Sequence, residues 1–387
     1  MSAQAHGIAA YAGNIALLTD GEKIVERLLR AGLMARASDI HLDPQEDCLR
    51  VRLRIDGQLE DFLELPPSVQ TTVTGRLKVL ASLDIAEKRA PQDGAFSWSL
   101  PAALSAGHSA IDVRIATLPV RHGERVTLRL LEKDAKRLTL DELGMSADDR
   151  LAFDAVLKRP HGLVLLTGPT GSGKTTTLYA TIGELLRADE KKNILTVEDP
   201  VEYDIPGVAQ AEVDSADKVN FSKALRSLLR HDPDVIMIGE IRDADSLDVA
   251  VKASLTGHLV LSTLHANSAK SSVTRLTGMG LDPALVPATL RLAVAQRLAR
   301  RLCPCCRKRG ETGFEPVGCP DCDNRGYRGR IGLFSLYSPD GGLETSMEKD
   351  AADKVRSGVT SFAEALKCCP SPETLSSCIV SLSEKTS

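Results

Sequence analysis

Apolar residues recur at helical spacing over residues 22–34, where Ile24, Val25, Leu28, Leu29 and Leu33 form one stripe, and this predicts an amphipathic helix. The order Leu49-Arg-Val-Arg-Leu-Arg-Ile55 alternates strictly instead, which predicts a strand with one buried face. Asp56-Gly57 follows directly and predicts a hairpin turn. The same reasoning gives a helix over residues 68–83 and strands over 111–117 and 125–131, so residues 1–135 read as an α+β N-terminal domain. The polar run from Glu132 to Arg137 carries no period, and residues 136–150 are read as a linker.

Past residue 151 the pattern changes. Short, wholly apolar runs at 163–166, 194–197, 235–238 and 259–264 are separated by helical stretches, the pattern of a mostly parallel sheet covered by helices. Residues 151–302 therefore read as an α/β core. Within it, a helix over 220–230 would place Phe221, Leu225, Leu228 and Leu229 on its inner face and Arg226 and Arg230, four apart, together on another. Residues 303–331 hold two cysteine pairs. Residues 332–387 read as a C-terminal helical segment with a Ser-rich tail, expected to fray over roughly its last 20 residues.

Composition narrows the class. A chain of 387 residues, 43% hydrophobic and 26% charged, is an ordinary globular one with room for two or three domains. A net charge of −4 argues against a protein whose main business is coating nucleic acid. No apolar run approaches the ~20 residues that span a bilayer. Residues 7–18 lack a basic lead and are followed by Asp20 and Glu22, which argues against a signal peptide and for the cytoplasm.

Four of the nine cysteines form Cys303-x-x-Cys306 and Cys319-x-x-Cys322, separated by the 12 residues 307–318. In a reducing compartment such pairs point to metal rather than disulfides. Four thiolates complete a tetrahedral zinc site with no open position, so the site is read as structural. Cys305 is out of register, and Cys48, Cys368, Cys369 and Cys378 belong to no pattern.

The densest chemistry lies in Gly168-Pro-Thr-Gly-Ser-Gly-Lys-Thr175, between a predicted strand and a helix. Gly168, Gly171 and Gly173, with Pro169, Thr170 and Ser172, allow backbone N–H groups to curl round a phosphate at the positive end of that helix. Lys174 is placed to reach the β- and γ-phosphates and Thr175 to hold Mg²⁺, with Thr176 beside them. Glu240 stands just past the 235–238 strand, at the carboxyl edge where open α/β sheets carry their chemistry. It is a better candidate than Asp234, at the strand's start, for polarising the attacking water. Glu198 and Asp199 end the 194–197 strand and His265 ends the 259–264 strand, so three strands deliver polar groups toward the nucleotide edge. Phosphoryl transfer also needs a cation for the developing charge; Arg242, Arg226, Arg230, Arg114 and Arg129 are candidates, the first two ranked highest by position.

Together these segments resemble the type II secretion and type IV pilus assembly ATPase family, the general secretion pathway protein E-like motors. The resemblance rests on Ala37-Ser-Asp-Ile-His-Leu-Asp43, Gln92-Asp-Gly94, Asp112-Val-Arg114 and His122-Gly-Glu-Arg-Val126 in the first domain. In the second it rests on Gly168–Thr175, Val197-Glu-Asp-Pro200, Gly239-Glu-Ile-Arg-Asp243, Thr256-Gly-His258 and Ser262-Thr-Leu-His265. It implies a RecA-like P-loop ATPase core over 151–302, preceded by the α+β domain and followed by a small zinc-binding insertion. Carried over by position, Lys174 and Thr175 resemble the nucleotide and Mg²⁺ residues and Glu240 the catalytic glutamate. Glu198, Asp199 and His265 resemble residues lining the site, and Arg114, Arg129, Arg226, Arg230 and Arg242 arginines completing it.

The resemblance further implies a homohexamer, peripheral at the cytoplasmic face of the inner membrane. Such a ring turns a membrane platform protein, contacts the cytoplasmic domain of a membrane-anchored component and drives pseudopilin assembly. The cysteine pairs place it with the secretion or pilus-extension branch rather than with retraction. Two other classes compete: a nucleotide-dependent nucleic-acid translocase, disfavoured by the acidic charge and 3% aromatic content, and an idle scaffold, disfavoured by intact Lys174, Thr175 and Glu240.

Overall fold

The computed structural model describes Ile15 and residues 18–100, 110–132, 138–189, 191–213 and 221–383. The polar run after Glu132, residues 7–14 and 16–17, the first residue of the expected 220–230 helix and the last four residues lie outside them. The chain divides into two compact units, residues 1–136 with 318–328, and residues 137–317 with 329–387.

In the first unit α1 (Gly21–Met34) begins where the Asp20 side chain accepts the Glu22 N–H at 3.0 Å. It is followed by β1 (Ala37–Pro44), β2 (Leu49–Ile55), β3 (Gln58–Leu65), α2 (Gln70–Leu80), β4 (Gln92–Ser99), β5 (Ala110–Val120) and β6 (Gly123–Glu132). Asp56 and Gly57 both take positive φ, 49° and 87°, which gives the two-residue turn whose twist suits a hairpin. The strands form one antiparallel sheet in the order β3-β2-β1-β6-β5-β4. Strict alternation in β2 sends Leu49, Val51, Leu53 and Ile55 into a core shared with Ile24, Leu28, Val73 and Leu77.

The alternate positions carry charge. On β1, Asp43 binds Arg52 at 2.6 Å and Arg125 at 2.9 Å, and Asp39 binds Arg129 at 3.1 Å. Arg114 on β5 stands directly opposite Arg129 on β6, on this polar side.

The second unit runs α3 (Ala147–Leu157), β7 (Gly162–Thr167), α4 (Lys174–Ala188), β8 (Ile194–Glu198), β9 (Ala209–Glu212), α5 (Phe221–Leu228) and β10 (Val235–Ile238). It continues through α6 (Ala244–Leu255), β11 (Leu259–Leu264), α7 (Ser271–Gly278), α8 (Val286–Thr289) and β12 (Leu290–Leu302). Then come the short pair β13 (Lys308–Gly310) and β14 (Gly313–Glu315), β15 (Tyr327–Tyr337), α9 (Met347–Arg356), α10 (Phe362–Cys368) and α11 (Pro372–Ser383). The sheet order is β15-β12-β7-β11-β10-β8-β9, with β12, β7, β11, β10, β8 and β9 successively parallel. All four residues Leu163–Leu166 are fully buried, alternating between two cores on opposite faces of the sheet. A Leu165→Ala cavity there would cost about 2–5 kcal/mol. No helix among the described residues is long and apolar enough to cross a membrane.

Three expectations change. Residues 332–337, read as helical, belong to β15 at the sheet edge, where Leu333, Phe334 and Leu336 are fully buried. Residues 372–383 of the Ser-rich tail, expected to fray, form α11, which buries Leu375 and has Cys378 and Ile379 packed on the same core. Arg230 lies past the end of α5, in a turn closed by its N–H to the Ser227 carbonyl at 2.9 Å, so it shares no helical face with Arg226.

Candidate nucleotide site

The phosphate loop follows β7, which lies between β12 and β11 inside the parallel sheet, and runs into α4 at Lys174. Gly168, Gly171 and Gly173 have φ of 147°, 76° and 87°, a region costly for residues with a Cβ, so the loop's backbone requires glycine there. The loop is braced: Thr167 Oγ1 donates to the Ala266 carbonyl at 2.8 Å and accepts the Ala266 N–H at 2.9 Å. That tie fixes the residues around His265 to the end of β7.

Lys174 Nζ donates to the carbonyls of Gly168 at 2.9 Å and Pro169 at 3.0 Å, within the loop itself. Burial pushes its ammonium below the ordinary lysine value; the negative charge of Glu240 opposes that, and the positive charge of Arg297 adds to it. Thr175 is exposed and Thr176 half-buried on the first turn of α4.

The strand ends converge as the pattern requires. Gly239 N–H donates to the Val197 carbonyl at 2.8 Å and Thr263 Oγ1 to the Gly239 carbonyl at 2.8 Å, which ties the end of β10 to both neighbours. Glu240 emerges from this junction with both carboxylate oxygens engaged, Oε1 by His265 Nε2 at 3.0 Å and Oε2 by Arg242 Nε at 2.8 Å. Arg242 Nη1 reaches Asp199 Oδ2 at 3.1 Å, and the bonded carboxylate of Glu240 is the main cause of its raised pKa. Asp199, Arg242, Glu240 and His265 thus form one chain of contacts across three strand ends. The Asp243–Ser246 capping box that starts α6 anchors the backbone next to Arg242.

Glu198 does not join them. Its carboxylate is buried and accepts the Tyr179 hydroxyl, Thr196 Oγ1 at 2.6 Å and Gln210 Nε2 at 3.1 Å. Arg226 and Arg230 are exposed and make no ion pair among the described residues. The charge pattern alone missed Gln296 and Arg297 on β12. Arg297 Nη2 lies 3.5 Å from the Asn267 carbonyl, two residues past His265. The available signal was a Gln-Arg pair ending the apolar row Leu292–Ala295.

The four sulfurs of Cys303, Cys306, Cys319 and Cys322 all lie within 4.8 Å of one another. Backbone N–H groups of Cys319 and Gly326 point at Cys322 Sγ at 3.3 and 3.2 Å, the donor pattern that stabilises a metal-bound thiolate. Outside the cluster, burial pushes the half-buried Cys368 thiol up to about 11 and the buried Cys369 thiol up to about 12.

A parallel sheet that presents this loop and these strand-end acids at one edge defines a P-loop ATPase. Residues 19–366 match the family model described as type II/IV secretion system protein, and the chain belongs to that family of ATP-hydrolysing enzymes. It is 44% identical over 382 residues to the type II secretion system ATPase E of Vibrio cholerae, covering 89% of this chain and 74% of that one. Against the type IV pilus assembly ATPase PilB of Myxococcus xanthus it is 46% identical over 334 residues, covering 81% and 58%. A solved structure of the pilus retraction motor PilT with bound ADP is similar at 25% identity and a TM-score of 0.61, covering 92% of this chain and 99% of that one.

Proposed function

We propose that the loop at residues 168–175 binds Mg-ATP, that Glu240 directs its hydrolysis, and that a homohexameric ring of this chain uses the energy to drive pseudopilus or pilus assembly. The observation that carries this reading is the Asp199–Arg242–Glu240–His265 chain at three neighbouring strand ends, beside a loop whose lysine senses the charge of Glu240. Lys174 exchanges the two loop carbonyls for phosphate oxygens, which offer its ammonium a stronger, charged partner. The Thr175 hydroxyl would hold a Mg²⁺ ion, which would neutralise phosphate charge. Glu240 orients the attacking water and accepts its proton once one of its two present partners lets go. Arg242 supplies the nearby cation, with Asp199 steadying it.

Arg226 and Arg230 are assigned to the nucleotide of the same or a neighbouring subunit, and Arg114 and Arg129 are assigned to nucleotide binding by the family resemblance. Cys303, Cys306, Cys319 and Cys322 fit a zinc ion, which would cross-link a stretch with little core of its own. The proposed partners are an inner-membrane platform protein and the cytoplasmic domain of a membrane-anchored component, with the ring in the cytoplasm and peripheral at that membrane. The names of the similar secretion and pilus-assembly ATPases support this setting. Steady-state hydrolysis by wild type, Lys174→Ala and Glu240→Gln tests the site, and comparable turnover in all three would sink it. Size measurement with a nonhydrolysable ATP analogue tests the ring.

A further inference from the structure

β12 runs on past the end of β7: Ala295 is in register with Thr167, and the strand continues to Leu302. Gln296 therefore stands beside Gly168, where the phosphate loop begins. A Cβ placed on Gly168 would lie 2.4 Å from the Gln296 carbonyl oxygen, and one on Gly173 would lie 2.9 Å from Gln296 Nε2. One residue packs on both ends of the loop, with its backbone at the start and its side chain at the finish.

Gln296 is only 1% exposed, and its Oε1 accepts the Thr177 hydroxyl at 2.8 Å, a fully buried bond into the first turn of α4. The Thr177 N–H donates to the Gly173 carbonyl at 3.0 Å, so the same threonine closes the helix onto the loop's last glycine. A buried amide is costly unless its atoms are bonded, and an aliphatic side chain would fill this strand position without that cost. Here the amide's acceptor is committed to the residue that anchors Gly173.

We propose that Gln296 is a positioning residue of the nucleotide site, acting through Thr177 and Gly173 to hold the loop backbone in its phosphate-binding shape and so setting nucleotide affinity rather than the chemical step. This rests on the reading of residues 168–175 as the ATP loop. A glutamine that merely braced α4 against the sheet would change thermal stability and leave affinity alone.

The test uses the full chain and compares Gln296→Leu, Thr177→Val, the double variant, Thr177→Ser and Lys174→Ala. Each is measured for affinity toward a fluorescent ADP, and the hydrolysing variants also for KM and kcat. Gln296→Leu and Thr177→Val are expected to weaken nucleotide binding and raise KM about tenfold, with kcat within about threefold of wild type. The double variant should be no worse than the weaker single, because both remove the bond from the Thr177 hydroxyl to Gln296 Oε1. Thr177→Ser, which keeps a hydroxyl for that amide and for the Gly173 carbonyl at 3.2 Å, should restore wild-type affinity. Wild-type affinity in Gln296→Leu, multiplying effects in the double variant, or a loss confined to kcat would each overturn the inference. If Gln296→Leu does not fold, the Thr177→Val and Thr177→Ser pair decides, since equal affinity in those two also overturns it. Unchanged nucleotide affinity in Lys174→Ala would overturn the reading of the loop itself, and the inference with it.

Discussion

His265 Nε2 and Glu240 Oε1 stand 3.0 Å apart at the ends of neighbouring strands, while the second oxygen of Glu240 accepts Arg242 Nε at 2.8 Å. The two contacts aim the carboxylate, and preorganisation of this kind is what a water-directing group requires. Glu240→Gln keeps the shape and loses the proton acceptor. Its turnover should fall about 100-fold or more while fluorescent nucleotide still binds. Phosphate release within about threefold of wild type would remove Glu240 from the chemistry.

Lys174 makes nucleotide binding depend on pH in a definite direction. Burial depresses its pKa below the ordinary 10.5, whereas bound phosphate favours the ammonium. Binding therefore takes up a proton at high pH, and affinity should fall as pH rises through a midpoint below 10.5. The free protein's stability moves oppositely. Unfolded, the lysine keeps its proton until 10.5, so between the folded pKa and that value the unfolded chain holds more protons and stability rises with pH. Nucleotide titrations from about pH 7.5 to about pH 10 should show the slope, and Lys174→Arg, whose guanidinium does not titrate there, should flatten it. An equal slope in both proteins would assign it to another group.

The parts of the site that could be read from the chain are those where local chemistry and tertiary position agree. Wholly apolar runs became buried parallel strands, and Gly168, Gly171 and Gly173 occur where the backbone needs positive φ. β12 was missed because Arg291, Arg297, Arg300 and Arg301 interrupt its apolar pattern, and only the fold shows that Gln296 is buried. β9 shows no period because it is an exposed edge strand of four residues. Adjacent Glu198 and Asp199 could not be told apart by position. Glu198 is the last residue of β8 and turns its carboxylate inward to Tyr179, whereas Asp199 lies just past the strand end and reaches Arg242.

The cysteine cluster should bind about one zinc per chain when the thiols are reduced. Cys303→Ser or Cys322→Ser, each removing a buried ligand, should abolish the metal and lower the melting midpoint by roughly 5–10 °C. Cys368→Ser should leave the zinc in place, since that thiol lies outside the cluster with its pKa pushed up to about 11. Elemental analysis of freshly reduced protein settles the matter, and absence of zinc would rule the site out.

Glu198 and Asp199 should separate stability from activity. Glu198→Ala leaves the Tyr179 hydroxyl, Thr196 Oγ1 and Gln210 Nε2 without their buried acceptor. The loss should cost about 2–4 kcal/mol in urea unfolding. Asp199→Ala removes a side chain that is 46% exposed, so its stability should stay within about 0.5 kcal/mol of wild type. It frees Arg242, however, from the contact that holds the guanidinium's far end, and turnover should fall about tenfold with folding intact. If instead Glu198→Ala were as stable as wild type and inactive, its carboxylate would have to leave the Tyr179 pocket during turnover, and the strand end would be a moving part rather than a fixed support.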